Sequence, residues 1–376
     1  MIFMKNIARK KIIKINFKKF DFTLIMMLIS CILFGLIMVF SSSVIMADIR
    51  WSKPYKLIIK QSLWVIVGLI IMFITGFLIN YKFYKKNSKI IYFVTLISVI
   101  LVLFIGTSKL GAKRWINIKG FSIQPSEFSK LSVIITLSEF ISRKKNIIKK
   151  YKGLIAPTII ILLMILPIML EPDLGTPILI VTVCFAMLFC AEIKINTILM
   201  IIIALVLFII EEIFRKPYRL IRLKDYISSL LNINASSYQI KQSLNAFGSG
   251  GLFGKGLGKS LIKIMYLPEA HSDFIFPIIG EELGLLGTSI VSLFFLYLFF
   301  KGMKMSKTMP DVFSSFLCLG ITFLIVFQAF INMAVTTGIF PTKGLPLPFI
   351  SSGGTALIIN MISAGILINL SQYEKK

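Results

Sequence analysis

The sequence predicts an all-α integral membrane protein of about ten transmembrane helices, on three observations. Hydrophobic residues make up 57% of its 376 positions and the mean hydropathy is +0.89, more apolar surface than a water-soluble globule of this size can bury. Charge-free runs long enough to cross roughly 30 Å of hydrocarbon recur along the chain. The charged residues gather between those runs, and they are basic: the formal net charge is +26.

Eight spans read directly, at 22–47, 61–81, 90–108, 153–170, 174–191, 283–300, 312–342 and 344–373. Two weaker ones complete the set. Residues 195–214 form an apolar run that stays clean up to Glu211 and Glu212, and 123–142 reads as a helix interrupted by Glu127, Lys130 and Glu139. The first run is too long for a signal-peptide core and lacks a small-residue cleavage site, so it is expected to stay as an anchor. The whole of 1–376 is expected to form a single polytopic domain.

Ten spans put both termini on one side. The termini and the loops on their side, around 5–19, 82–89, 143–152, 194, 301–307 and 375–376, carry more Lys and Arg than the short loops opposite. The positive-inside rule therefore makes the basic N-terminus, 1–20, and the C-terminus cytoplasmic. It leaves a large extracytoplasmic loop, 215–272, between helices 7 and 8.

Most of the positive charge flanks helix ends, as topology signals and anionic-lipid contacts do, so nucleic-acid binding is not expected. Cys31, Cys184, Cys190 and Cys318 all lie in apolar runs and form no CxxC pair, which argues against a disulfide framework or a zinc site.

Two outer loops carry positive charge where topology disfavours it. One is GAKRWINIKGFSIQPSE, 111–127, with Lys113, Arg114 and Lys119; the other spans 215–263, where Arg215, Lys216, Arg219, Arg222, Lys224, Lys241, Lys255, Lys259 and Lys263 face a single acid, Asp225. Such a surface suits a bound anion, and at this depth a lipid-linked phosphate; contact with outer-leaflet headgroups is the plainer alternative.

Within the long loop, GSGGLFGKGLGKS (248–260) is no Walker A loop, because Phe253 stands where its first glycine would be. Its glycines could still bring backbone N–H groups to a pyrophosphate, or they could simply make a re-entrant turn.

YLPEAHSDFIF, 266–276, ends the polar stretch and places the sole histidine, His271, with Glu269 and Asp273 where an apolar helix begins. Ionisable groups at a membrane boundary are costly to hold and point to chemistry. A lone histidine is poor evidence for a metal, so His271 reads better as support for the helix start, while Asp273 faces the loop expected to hold the anion. Glu281 and Glu282, two turns deeper, are expected to bond to neighbouring helices.

Glu127 and Lys130, three apart after Pro125, should pair on one helical face, either as a structural ion pair or near the chemistry. PTKGLPLPFISSGG, 341–354, crowds proline and glycine between two long helices and reads as a fixed outer loop or broken helix with Lys343 as its only charge.

Taken in order, GAKRWI with QPSEFSK, EPDLGT, QSLNAFGSGGLFGKGLGKS, YLPEAHSDFIFPIIGEELG and PTKGLPLPFISSGG resemble the SEDS family of polytopic cell-wall polymerases, the FtsW/RodA/SpoVE type, nearly end to end. IGEELG and PTKGLPLPF look more like the division-type FtsW branch; SSGG stands where the family usually has SYGG. The resemblance implies a peptidoglycan glycosyltransferase of the bacterial cytoplasmic membrane that polymerises lipid II into β-1,4 glycan and releases undecaprenyl pyrophosphate.

The same resemblance carries the proposed catalytic acid onto Asp273, a supporting pair onto Glu127 and Lys130, and outer-loop basic and aromatic positions onto Arg114 and Trp115. It also implies a class B penicillin-binding transpeptidase as partner, with other divisome or elongasome membrane proteins. The chemistry is consistent with the residues. A pyrophosphate leaving group needs cationic or metal stabilisation more than an acid, and the attacking hydroxyl needs a base.

The expected roles follow: Asp273 as base, with Glu269 and His271 beside it, and Lys113, Arg114, Lys255, Lys259 and Lys343 around the diphosphate, a divalent cation (Mg or Mn) being a further candidate. Two other classes remain open at this stage, a lipid II flippase and a non-catalytic scaffold that activates a partner polymerase. A flippase would distribute polar groups through the depth of the bundle.

Overall fold

The computed structural model describes residues 20–109, 112–118, 121–148, 151–171, 173–193, 238–264, 267–341 and 344–374. The expected span at 195–214, the segment 215–237, the N-terminal residues 1–19, Lys119 and Lys343 lie outside them.

The described residues form α1 (Phe22–Trp51), α2 (Lys56–Phe73, continued by a π turn Ile74–Leu78), α3 (Tyr81–Ile105), α4 (Pro125–Ile148), α5 (Ile155–Leu170), α6 (Gly175–Cys190), α7 (Tyr238–Gly250), α8 (Ile275–Thr308), α9 (Val312–Thr336) and α10 (Gly354–Ser371). Six of these are long and apolar enough to cross a membrane: α1, α2 with its π turn, α3, α8, α9 and α10. The chain is a multi-pass helical membrane protein, and nine expected spans coincide with helices. The remaining helix, α7, has no counterpart among the expected spans; it lies within the long 215–272 loop.

Three boundaries depart from the sequence reading. Residues 107–123 are not a plain loop but strands β1 (Thr107–Lys109), β2 (Ala112–Ile118) and β3 (Phe121–Ile123), paired antiparallel in the order β1-β2-β3. A segment too short and polar to span satisfies its N–H and C=O groups by local pairing instead. Helix α8 begins eight residues before the expected 283, and breaks at Gly284 (φ 67°, ψ −161°), so Glu281 and Glu282 lie in its first segment. Helix α10 begins only at Gly354, which leaves 344–353 as the loop that its prolines and glycines suggested.

Burial ranks the helices. In the most apolar window of each, α10 is 89% buried and α9 72%, against 22% for α2 and 28% for α3, so α10 and α9 form the centre and α2 and α3 the lipid-facing rim. Close approach to α10 depends on Gly365: a Cβ there would lie 1.9 Å from Thr75 Oγ1 and 2.7 Å from the Met72 carbonyl. The π turn frees the Gly76 carbonyl, which accepts from Asn369 Nδ2 at 2.9 Å, while Asn369 Oδ1 accepts from Tyr81 N at 3.1 Å.

At this same end of the helices, Asp21 N donates to Ser371 Oγ at 3.1 Å, and Asp21 caps α1 by accepting from Leu24 N (3.0 Å) and forms an ion pair with Lys301 of α8. Tyr81 Oη donates to Asp311 at 2.6 Å, and Asp311 forms a capping box with Ser314 at the start of α9.

Gly365→Val should overpack the α2–α10 seam and cost about 1–3 kcal/mol. It should lower the Tm in detergent, whereas Gly248→Ala, which meets nothing within 4 Å, should leave the Tm unchanged.

Candidate functional site

The site is assembled from three segments at one end of the helices. The first is the turn before α8. Glu269 adopts φ 57°, and its carbonyl accepts from Ser272 N at 3.0 Å and Phe274 N at 3.3 Å, so the turn closes on itself. This delivers Asp273 to the head of α8. The second is the loop 344–353, which meets that turn in register: Ser352 N donates to the His271 carbonyl at 2.9 Å and Ser351 Oγ to the Ser272 carbonyl at 2.6 Å. The third is the α5–α6 link with the start of α4.

Two amides inside α9 hold these segments. Asn332 Nδ2 donates to the carbonyls of both Asp273 and Leu345, each at 2.8 Å. One turn earlier, Gln328 Nε2 donates to the Pro346 carbonyl at 2.8 Å and Gln328 Oε1 accepts from Lys130 Nζ at 3.2 Å. Lys130 is 1% exposed and also binds both carboxylate oxygens of Glu127 at 2.8 Å. The expected i,i+3 pair therefore forms, and through Gln328 it supports the loop that flanks Asp273.

Asp273 itself is half-buried, with Oδ2 packed against Gly344: a Cβ on that glycine would lie 2.9 Å away. Burial pushes its carboxyl up to about 7, with the negative charges of Glu269, Asp173 and Glu127 adding to the effect. A carboxylate at that value is half-ionised at neutral pH, which suits a group that accepts a proton from a hydroxyl. His271 lies two residues away with Nε2 4.0 Å from Glu269 Oε2; burial holds it below the usual imidazole range, against the pull of Glu269, and Arg50 lowers it further.

The α5–α6 link contributes two acids that the sequence reading left inside a motif without a role. Asp173 accepts from Gly175 N (2.9 Å), Thr176 N (3.3 Å) and Thr176 Oγ1 (2.9 Å), capping the start of α6. Glu171 is fully buried, its carboxylate oxygens have no hydrogen-bond partner among the described residues, and burial beside Asp173 pushes it up to about 8, Arg114 pulling the other way. Arg114 Nε donates to the Glu171 carbonyl at 2.8 Å, which fastens β2 to this link. Lys113 is exposed and Trp115 half-buried on the same strand.

The glycine-rich loop is occupied with structure rather than open. Lys255 Nζ lies 2.7 Å from Glu281 Oε1, and Lys263 Nζ 2.7 Å from Glu282 Oε1. Glu281 also accepts from Ser260 Oγ and from Leu261 N and Ile262 N, and Glu282 accepts from Ser41 Oγ of α1 at 2.7 Å. The partners expected for these two acids on neighbouring helices are thus largely on this loop. Of its lysines, Lys259 is exposed and Lys255 carries an acid partner.

No group of three or more His, Cys, Asp or Glu among the described residues is placed to hold a metal. The described residues offer no donor set for a divalent cation bound by protein alone, and no step is assigned to one. Local pattern revealed Asp273 and the Glu127–Lys130 pair, but it missed Gln328, Asn332, Glu171 and Asp173. The available signal was two amides four residues apart in an otherwise apolar span, which membrane helices rarely carry without a task.

Lys130→Ala would strand the Glu127 carboxylate in the interior and should cost about 3–5 kcal/mol. Its Tm should fall sharply, and the paired change Glu127→Gln with Lys130→Met should recover much of the loss.

Known proteins bear the same architecture. The model of the FtsW/RodA/SpoVE family, described as cell cycle protein, matches residues 21–376. A probable peptidoglycan glycosyltransferase FtsW of Trichlorobacter lovleyi is 37% identical over 94% of this chain and 93% of its own length. Stage V sporulation protein E of Bacillus subtilis is 36% identical over 94% of this chain and 98% of its own length.

Among solved structures, a chain of a peptidoglycan synthase complex described as coordinating polymerization and crosslinking superposes with a TM-score of 0.77 at 20% identity, covering 94% of this chain and 97% of that one. The rod shape determining protein RodA of Thermus thermophilus gives 0.71 at 21% identity, covering 95% and 98%. With the family model matched along nearly the whole sequence, the chain belongs to the FtsW/RodA/SpoVE family.

Proposed function

We propose that this protein is a peptidoglycan glycosyltransferase that joins lipid II units into β-1,4 glycan strands. The observation that carries the reading is the Asp273 carboxyl, which is half-buried, seated on Gly344 and held near neutrality at the outer mouth of the bundle. The names of relatives 37% and 35% identical, probable peptidoglycan glycosyltransferases, support it.

In the proposed step an acceptor sugar hydroxyl gives its proton to Asp273 as its oxygen bonds to the anomeric carbon of the donor. The bond from that carbon to the phosphate oxygen breaks, and undecaprenyl pyrophosphate leaves with the electron pair. Lys113 and Arg114 on β2, with Lys259, supply positive charge to the leaving group. Trp115 lines the same strand. Lys255 serves this only indirectly, since its ammonium is paired with Glu281. Glu127, Lys130 and His271 position the turn and loop around the base rather than touching the sugar. Lys343 belongs to the same loop by sequence and is assigned to the diphosphate on that ground alone.

A class B penicillin-binding transpeptidase is the proposed partner, supported by the likeness to a chain from a complex that couples polymerization to crosslinking. Both termini are assigned to the cytoplasm on the distribution of Lys and Arg. A flippase reading gains no observation of its own, because the buried polar groups Glu127, Lys130 and Gln328 bond one another and the outer loop.

Purified protein with labelled lipid II tests the reading, alone and with a cognate transpeptidase. Wild type should form polymer, and Asp273→Asn should form none while keeping its Tm; a folded Asp273→Asn variant with full activity would overturn the assignment. The rate should rise as pH increases through about 7, because the base form of Asp273 predominates only above that value, and fall away below it. Gly344→Ala, which drives a methyl group against Oδ2, should reduce the rate at least about tenfold with little change in Tm, since small displacements at a reacting group are costly.

A further inference from the structure

The glycine-rich loop after α7 exposes an apolar surface that the proposed activity does not use. Phe253 is 78% exposed, Leu252 62%, Leu261 61% and Leu257 55%. Single exposed leucines are ordinary, but four large apolar side chains on one short loop form a patch that calls for a partner.

The loop's depth is fixed by its backbone. Leu285 N donates to the Gly251 carbonyl at 2.9 Å and Leu286 N to the Leu252 carbonyl at 3.2 Å; Lys255 N and Gly256 N donate to the carbonyls of Glu281 and Glu282, each at 2.9 Å. The loop therefore lies beside residues 281–286 of α8, at the break where that helix starts its long apolar run. There Leu285 and Leu286 are themselves 57% and 53% exposed, and the same helix continues into the bilayer with Ile290 and Leu293 facing outward.

The glycines explain how a loop can lie so close. Gly254 has φ 77°, and a Cβ there would fall 2.2 Å from the Glu282 carbonyl oxygen; at Gly284, φ 67°, a Cβ would fall 2.4 Å from Gly254 N. Backbone presses on backbone, and the Lys255–Glu281 and Lys263–Glu282 pairs close both flanks. These glycines serve a contact within the protein, and the apolar side chains between them point away from it.

We propose that this loop is seated in the outer leaflet of the membrane, with Leu252, Phe253, Leu257 and Leu261 at the acyl boundary and Lys259 at the level of the lipid phosphates. The apolar patch is continuous with the lipid-facing surface of α8, and an exposed lysine at its edge matches an anionic headgroup layer. The loop then sets the depth of the turn that carries Asp273, because the same segment runs on through Lys263 towards 267–273. The inference does not depend on the proposed activity.

Site-directed spin labelling tests it on the full chain. Cys31, Cys184 and Cys318 are buried, so Cys190→Ser removes the exposed thiol. Into that background go Phe253→Cys, Leu257→Cys as a second loop position, Leu293→Cys as a lipid-facing reference and Lys53→Cys as an aqueous one. Each is reconstituted in phosphatidylcholine–phosphatidylglycerol vesicles.

Labels at Phe253 and Leu257 should collide with dissolved oxygen more than with a water-soluble nickel reagent, as at Leu293. Collision like that at Lys53 would overturn the inference. So would shielding from both reagents, which would mean that protein covers the patch. Each labelled variant should keep the parent Tm, and if one loop position misfolds the other decides.

Discussion

The site at this end of the helices depends first on an amide group buried in α9. Asn332 donates from a single nitrogen to the carbonyls of Asp273 and Leu345, and so ties the turn that begins α8 to the loop that precedes α10. In a low-dielectric setting such bonds are strong and an unmade one is expensive, so the two segments are held in fixed relation. A second amide, Gln328, does the same for Pro346 and rests on a lysine that is itself buried against Glu127. The carboxyl between them is placed by groups that never touch the reacting atoms.

That arrangement explains how an acid can be maintained near neutrality at a membrane surface. Asp273 is crowded by other carboxylates and partly withdrawn from water, and both effects favour its protonated form. Arg114 of β2 donates to the Glu171 carbonyl and so fastens a basic strand to the link that carries Asp173, one of the acids acting on Asp273. A base and an anion site need these contrasting environments within reach of each other. Contacts at Ser351 and Ser352, with Gly344 packed against the carboxyl, hold the turn and the loop together around Asp273.

Much of the fold was legible because lipid imposes a simple rule: a span must be apolar and long. Nine expected spans met helices on that basis. The Glu127–Lys130 pair was legible too, since three residues make nearly one helical turn. What escaped was what depends on distant segments meeting. Nothing local in GEELG marks Gly284 as a break; the break exists because the loop at 251–256 lies against it. The glycine-rich loop resembled a phosphate cradle by composition, whereas its glycines serve close backbone approach and its first lysine meets Glu281, twenty-six residues on. Gln328 and Asn332 were hidden by the hydrophobicity around them, and Asp173 by the hundred residues that separate it from the carboxyl it acts on.

The central claim is that the Asp273 carboxyl is poised near neutrality by its surroundings. The most direct measurement is an infrared pH titration of the protein in membranes, taken as the difference between wild type and Asp273→Asn, which isolates the carboxyl stretch of this one residue. The account predicts a protonation midpoint near 7; a midpoint in the ordinary aspartate range, about 3.9, would contradict it.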